Sequence, residues 1–164
     1  MVSEKVAKLQ ARLNESRAFL DSILDQVGDR WDVQIYSDGA GWTTRQLLIH
    51  LMISDKGQTA TVQQIAAGGD PLPADFDLER FNRRSVEKGA ATTPDEARAV
   101  MRESRGALLA WTETVTDEAL EHTGRHASGN IFSATQYLKI MAIHERDHAR
   151  DMAKALDITP VNQV

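Results

Sequence analysis

From Ser3 to Val27 the apolar residues Val6, Leu9, Leu13, Leu20, Ile23, Leu24 and Val27 recur at three- and four-residue steps. That spacing is the stripe of an amphipathic helix, and Gly28 supplies a stop. The next segment, "DRWDVQIYSDGAGW", mixes aromatics with Asp38, Gly39 and Gly41, which predicts a loop folded over the end of a bundle rather than a pair of strands. In that loop Trp31, Tyr36 and Trp42 read as core plugs, with ligand stacking as the other reading. A second helix opens sharply at Thr43, with Gln46 three residues on as the other half of a capping box. It carries Leu47, Leu48, Leu51, Val62 and Ile65 up to "GGDPLP".

The third long helix has the clearest start in the chain. In "TPDE", Thr93 is the cap, Pro94 sits in the first turn and Glu96 closes the box, ahead of Val100, Met101, Leu108, Trp111 and Val115. Ser133 with Gln136 opens the fourth, which runs to about Leu156 before Pro160. Between the second and third, residues 77–88 predict a short extra helix. Four helices of twenty-odd residues, with no strand-like alternation and no internal repeat, predict an all-α fold. It is an antiparallel four-helix bundle of up-and-down style with long crossing loops, one of them a long crossover, formed by residues 1–164 as a single domain.

Composition narrows the chemistry. The 164 residues can bury roughly two thirds of their unfolded surface, so no metal is needed merely to fold. There is no cysteine, which leaves imidazole and carboxylate as metal ligands and means that any reactive thiol must come from a small molecule. A net charge of −5 argues against general affinity for nucleic acid. The local exception, "RFNRRS" with Arg80, Arg83 and Arg84, reads as a solvated segment near Glu79 and Glu87, or else as an anion-binding rim. No apolar run reaches the length of a membrane span and the start lacks a signal-peptide core, so a soluble, cytoplasmic protein is expected.

The motif that raises a functional question is "HERDH". On a helix each residue advances about 100°, so His144 and His148 lie about 40° apart, one turn above the other. Tyr137, Met141 and Ala155 share their stripe, which places both imidazoles on the core seam. Two readings of the pair stand side by side: a shared cation, or two core histidines bonded to carboxylates or hydroxyls of neighbouring helices.

The letters H-E-x-x-H suggest a zinc protease with Glu145 as base, but the remaining "ARDMAKALDITPVNQV" offers neither histidine nor glutamate as a third ligand, and a bundle has no edge strand to align a peptide. A di-iron bundle needs a second E-x-x-H, which is absent. Upstream, His50 in "LLIHLMISD" is the other histidine on a core helix. With His144 and His148 it makes a three-ligand site with an open position, the arrangement of a reactive centre. His122 and His126 share the four-residue spacing, but Gly124 between them predicts an exposed Gly/Ser-rich loop.

"GWTTRQLLIHL" and "HERDH" together resemble the DinB-like superfamily of small four-helix-bundle proteins, which includes bacillithiol transferases and mycothiol-dependent maleylpyruvate isomerases. The likeness covers nearly the whole chain, and the 94-residue interval between His50 and His144 suits it. It implies that His50, His144 and His148 bind a divalent metal, often zinc or nickel, and that the protein pairs as a homodimer. Many members carry a further histidine before the last ligand and a glutamine three residues after it, where this chain has Asp147 and Asp151. Asp151, one turn beyond His148, is placed to orient an imidazole or join the metal; pairing with Arg150 or Lys154 is the other reading. Asp55 and Glu145 are further candidates for orienting ligands.

The expected activity is metal-dependent activation of a low-molecular-weight thiol, for transfer to an electrophile or for isomerisation of a small-molecule substrate. Trp31, Trp42, Arg80, Arg83 and Arg84 are the candidate substrate rim. A non-catalytic metal-binding or stress-response module is one alternative. Metal-assisted hydrolysis with Glu145 as base is the other.

Overall fold

A computed structural model describes residues 2–37 and 39–161; Asp38, one of the expected turn formers, lies outside them. Each helix begins where a side chain can satisfy its first free amides. Ser3 caps α1 (Glu4–Leu24), Thr43 caps α2 (Thr44–Ala66), Asp77 caps the short α3 (Leu78–Lys88), Thr93 caps α4 (Pro94–Thr112) and Ser133 caps α5 (Ala134–Ala155). At Thr43, Thr93 and Ser133 both halves of the capping box are made, with Gln46, Glu96 and Gln136. The segment expected to be a short extra helix is α3.

The four long helices form the bundle. α1 packs on α4 and α5, and so does α2, so α1 and α2 face each other across a diagonal. Directions follow from the contacts along each pair. Gln10 bonds Thr112 and Arg98 bonds Asp25, so α1 and α4 run in opposite directions. Arg17 bonds Glu145 and, one end on, Arg30 bonds the Leu156 carbonyl, so α1 and α5 run the same way. α2 and α4 also run alike, and α2 opposes α5. A plain up-and-down order cannot produce this. It requires the long crossover from 67 to 93, which carries α3 and returns the chain to the end from which α2 started.

One local departure from the sequence reading belongs to a loop. Residues 123–133 are not a plain loop but a hairpin, β1 (Thr123–Arg125) paired antiparallel with β2 (Ile131–Ser133), its turn closed by Gly129 at φ +87°. Three-residue strands are too short to show alternation. Gly124 allows β1 to lie on the end of α2: a Cβ there would come within 2.7 Å of Ile65 and 3.1 Å of the Gly69 carbonyl.

The core is split into two apolar layers by a charged one. One layer gathers Leu20, Ile23, Leu24, Leu47, Leu51, Met101 and Met152; the other gathers Val6, Leu9, Leu13, Val62, Leu108, Leu138 and Met141. Between them every long helix contributes a buried polar residue: Ser16 and Arg17 from α1, Asp55 from α2, Arg105 from α4 and Glu145 from α5. Two cations face two carboxylates, so the layer is neutral as a whole. Arg17 also donates to the Met101 carbonyl at 2.7 Å and Arg105 to the Leu13 carbonyl, tying α1 and α4 to each other's backbones. Burial opposes the charge on Arg17, but Glu145 and Asp55 raise its pKa above its ordinary value.

A candidate metal centre

His50 lies in the second turn of α2 between Leu47 and Leu51, both fully packed, which turns its ring toward α5. His144 and His148 present their rings to the same seam. The Nε2 atom of His144 is 3.2 Å from Nε2 of His50 and 3.2 Å from Nε2 of His148, and the three ligand atoms all lie within 4.8 Å of one another. A tetrahedral ion with nitrogens at about 2.0–2.1 Å would set them about 3.3 Å apart, so the observed edges fit such an ion.

The electrostatics agree with the geometry. Burial, with the proximity of the other rings, pushes His50 down to about 3; burial does the same for His144, also to about 3, assisted by His148 and His126. Burial lowers His148 too, against the opposing pull of Asp151 and Asp147. All three rings are therefore neutral at pH 7. A single shared proton could serve only one of the two short nitrogen contacts, whereas one cation serves every lone pair at once.

The tautomer of His148 is set from behind. The Tyr36 hydroxyl donates to Asp151 Oδ2 at 2.6 Å and so must accept from His148 Nδ1, 2.7 Å away. With its proton on Nδ1, His148 turns a bare Nε2 toward His50 and His144. Asp151 reaches the imidazole through Tyr36: its own carboxylate is 3.9 Å from Nδ1. Burial and the bond to Asp151 raise the pKa of the Tyr36 hydroxyl, which keeps it protonated and able to donate.

Sequence reasoning placed Tyr36 as a plug and missed this role. The signal was available, because a half-buried tyrosine needs a partner for its hydroxyl and Asp151 projects from the facing helix. Trp42 stacks on His50 with ring centroids 4.6 Å apart and planes at 34°, while Trp31 packs against the apolar layer that holds Leu20 and Leu47.

Several other candidates lie elsewhere. Glu145 points away from its neighbouring histidines into the charged layer. Its Oε1 accepts from Ser16 at 2.8 Å, and its Oε2 accepts from Arg17 at 2.9 and 2.7 Å and from Arg105 at 3.2 Å. Neither a base for hydrolysis nor a partner for an imidazole can be made of a carboxylate so engaged; the step of about 100° between positions 144 and 145 puts it on the α1 side of α5. Asp55 is likewise held by Arg105 and Arg17, at 3.2 and 3.3 Å, and orients no histidine.

Arg80, Arg83 and Arg84 are exposed on α3, where Arg83 lies 3.9 Å from Glu79, and none of the three belongs to the histidine cluster. His122 Nδ1 donates to the Ala66 carbonyl at the end of α2, at 2.7 Å. His126 is half-buried rather than exposed, edge-on to Tyr137 at 4.9 Å. Neither joins the three-histidine group.

Comparison with known proteins supports the same picture. No curated protein matches the chain. Among solved structures, YfiT from Bacillus subtilis superposes with a TM-score of 0.77 at 22% identity, over 94% of this chain and 88% of that one. It is described as a probable metal-dependent hydrolase with an unusual four-helix bundle topology. At that identity the likeness speaks for the fold. The family itself rests on a sequence profile: that of the DinB superfamily matches residues 12–152, a span that takes in α2, the crossover and all three converging histidines, and the chain belongs to that superfamily.

Proposed function

We propose that the protein is a metal-dependent enzyme that holds a divalent cation, zinc or nickel, on His50, His144 and His148, and that it acts on a small molecule through a low-molecular-weight thiol. The observation that carries this reading is the convergence of three neutral imidazoles, whose candidate ligand nitrogens all lie within 4.8 Å of one another. When bound, the cation supplies Lewis-acid chemistry, lowering the pKa of a thiol or water in contact with it. The protein's part is preorganisation. Tyr36 and Asp151 hold His148 in the ligating tautomer, Trp42 stacks on His50 and fixes its ring, and three protein ligands leave a position for the reacting group.

A thiol suits this site better than a water that needs a separate base. Asp151 is committed to Tyr36 and Asp147 sits 3.5 Å from Arg150, while Glu145 is locked in the charged layer. The cation acidifies either group, but a thiol starts from a pKa of about 8.5 against about 15.7 for water and so needs the help of a base least. Hydrolysis is the second reading, favoured by the fold likeness to YfiT, and in it the Tyr36–Asp151 pair, not Glu145, is the neighbouring proton acceptor, since Tyr36 bonds the ligating ring of His148.

Protein purified without an affinity tag should carry close to one equivalent of metal by elemental analysis, and His148→Ala should carry none. With metal loaded, consumption of bacillithiol, mycothiol or coenzyme A in the presence of chlorodinitrobenzene is the expected activity. Release of nitrophenol from nitrophenyl acetate without thiol dependence would replace it with the hydrolytic reading. Metal without either turnover would leave a non-catalytic module, and an absence of metal would remove the proposal altogether.

A further inference from the structure

A cavity of about 150 Å³ opens between α2, α3 and the tip of the hairpin. We propose that it receives an apolar, ring-sized group of the substrate whose reacting atom sits at the three histidines; this rests on the metal-dependent reading above. The first argument is alignment. On α2 the positions 50, 54, 57 and 61 differ by steps of three and four and lie on one stripe, and on α5 the positions 144 and 137 do the same. Ser54, Gly57, Thr61 and Tyr137 line the cavity, so its floor continues the seam that carries His50 and His144. Ser54 is one turn, about 6 Å of rise, from His50. A substrate of modest length can reach both.

The second argument is the lining. Leu72, Phe76, Leu78 and Phe81 form the wall that α3 and the preceding loop bring over α2, with the two phenylalanine rings 5.4 Å apart. Phe81 is 42% exposed at this wall, so part of a large aromatic side chain stays open beside the cavity. Ser54, Asn82 and Thr61 add a few polar groups among these apolar walls, the usual make-up of a small-molecule site. A dry protein cavity of about 150 Å³ is known to take up benzene, which sets the size of the expected group.

The third argument is Gly57. It lies in the middle of α2 with an ordinary helical backbone, and a Cβ built there meets nothing within 4 Å. Neither a turn nor a close approach of another chain segment requires glycine, although glycine weakens a helix relative to alanine. Its effect at this position is to leave the cavity floor open.

The test is an amide-detected NMR titration of the metal-loaded protein with p-cresol, with elemental analysis of every sample. Saturable shifts at Ser54, Gly57, Thr61 and Phe81 are expected at millimolar p-cresol or below. Gly57→Leu, which fills the floor without a backbone clash, should weaken p-cresol binding at least tenfold, raise rather than lower Tm, and keep its full metal content. Acetate, a polar probe of similar small size, should produce no shifts at these four residues. Absence of saturable shifts, or equal p-cresol affinity in Gly57→Leu, would overturn the cavity assignment while the retained metal left the histidine site standing. Loss of metal in the wild-type protein would instead implicate the metal reading on which this rests.

Discussion

Replacing Glu145 by glutamine separates two roles that its position between His144 and His148 confuses. If the carboxylate were a general base, the substitution would leave stability alone and cost orders of magnitude in turnover. The structure places it instead in a buried layer where its two oxygens take hydrogen bonds from Ser16, Arg17 and Arg105, with the residue 3% exposed. Glutamine removes one negative charge from a group of two cations and two carboxylates. It also places an NH2 where one carboxylate oxygen had accepted, either facing Ser16 or facing the guanidinium groups.

Removing one partner of a buried ion pair typically costs about 3–5 kcal/mol. For a chain of this size each kcal/mol lowers Tm by about 2–4 °C, so a fall on the order of 10 °C is expected. Urea denaturation should show a lower midpoint at unchanged slope. Well below its Tm, the variant should bind metal with the wild-type stoichiometry and keep most of any activity. A loss of stability below about 1 kcal/mol, or a wild-type stability with activity abolished and metal retained, would refute the assignment of Glu145 to the charged layer.

Three further outcomes can be checked. Tyr36→Phe removes the hydroxyl that holds His148 and should weaken metal affinity about 10–100-fold without changing the number of ligands, as read by chelator competition and by the cobalt spectrum; an unchanged affinity would show that the relay is idle. Metal removal should lower Tm, and restoring zinc should raise it with a dependence on free zinc concentration, since binding to the folded state alone stabilises it by mass action. The metal-free protein should lose stability as pH falls from about 6.5 toward 3. The folded pKa values of His50 and His144 lie near 3, below the ordinary 6.5, so the unfolded chain takes up protons first; His50→Leu should flatten that slope, and equal slopes would contradict the burial argument.

Much of this was legible in the sequence because it is local. Capping boxes at Thr43, Thr93 and Ser133 and three- and four-residue apolar steps are decided within one or two turns of chain, and the helices begin where those residues stand. The four-residue spacing of His144 and His148 puts two rings on one face by helix geometry alone. What lay beyond was which faces meet.

Helix directions depend on whether a long connection crosses the bundle, and the crossover through α3 determines that only once the whole chain is packed. Arg17 stands on the apolar stripe between Leu13 and Leu20, and Arg105 between Met101 and Leu108. Each is a buried charge that demands a partner, yet nothing local says that the partners are Asp55 and Glu145. For the same reason Glu145 and His144, adjacent in sequence, serve opposite sides of one helix, and Tyr36 reaches His148 across 112 residues. The sequence by itself determined the helices and the chemistry available on their faces; only the tertiary structure decided the pairings, because burial penalties are settled by whichever groups packing brings within hydrogen-bonding distance.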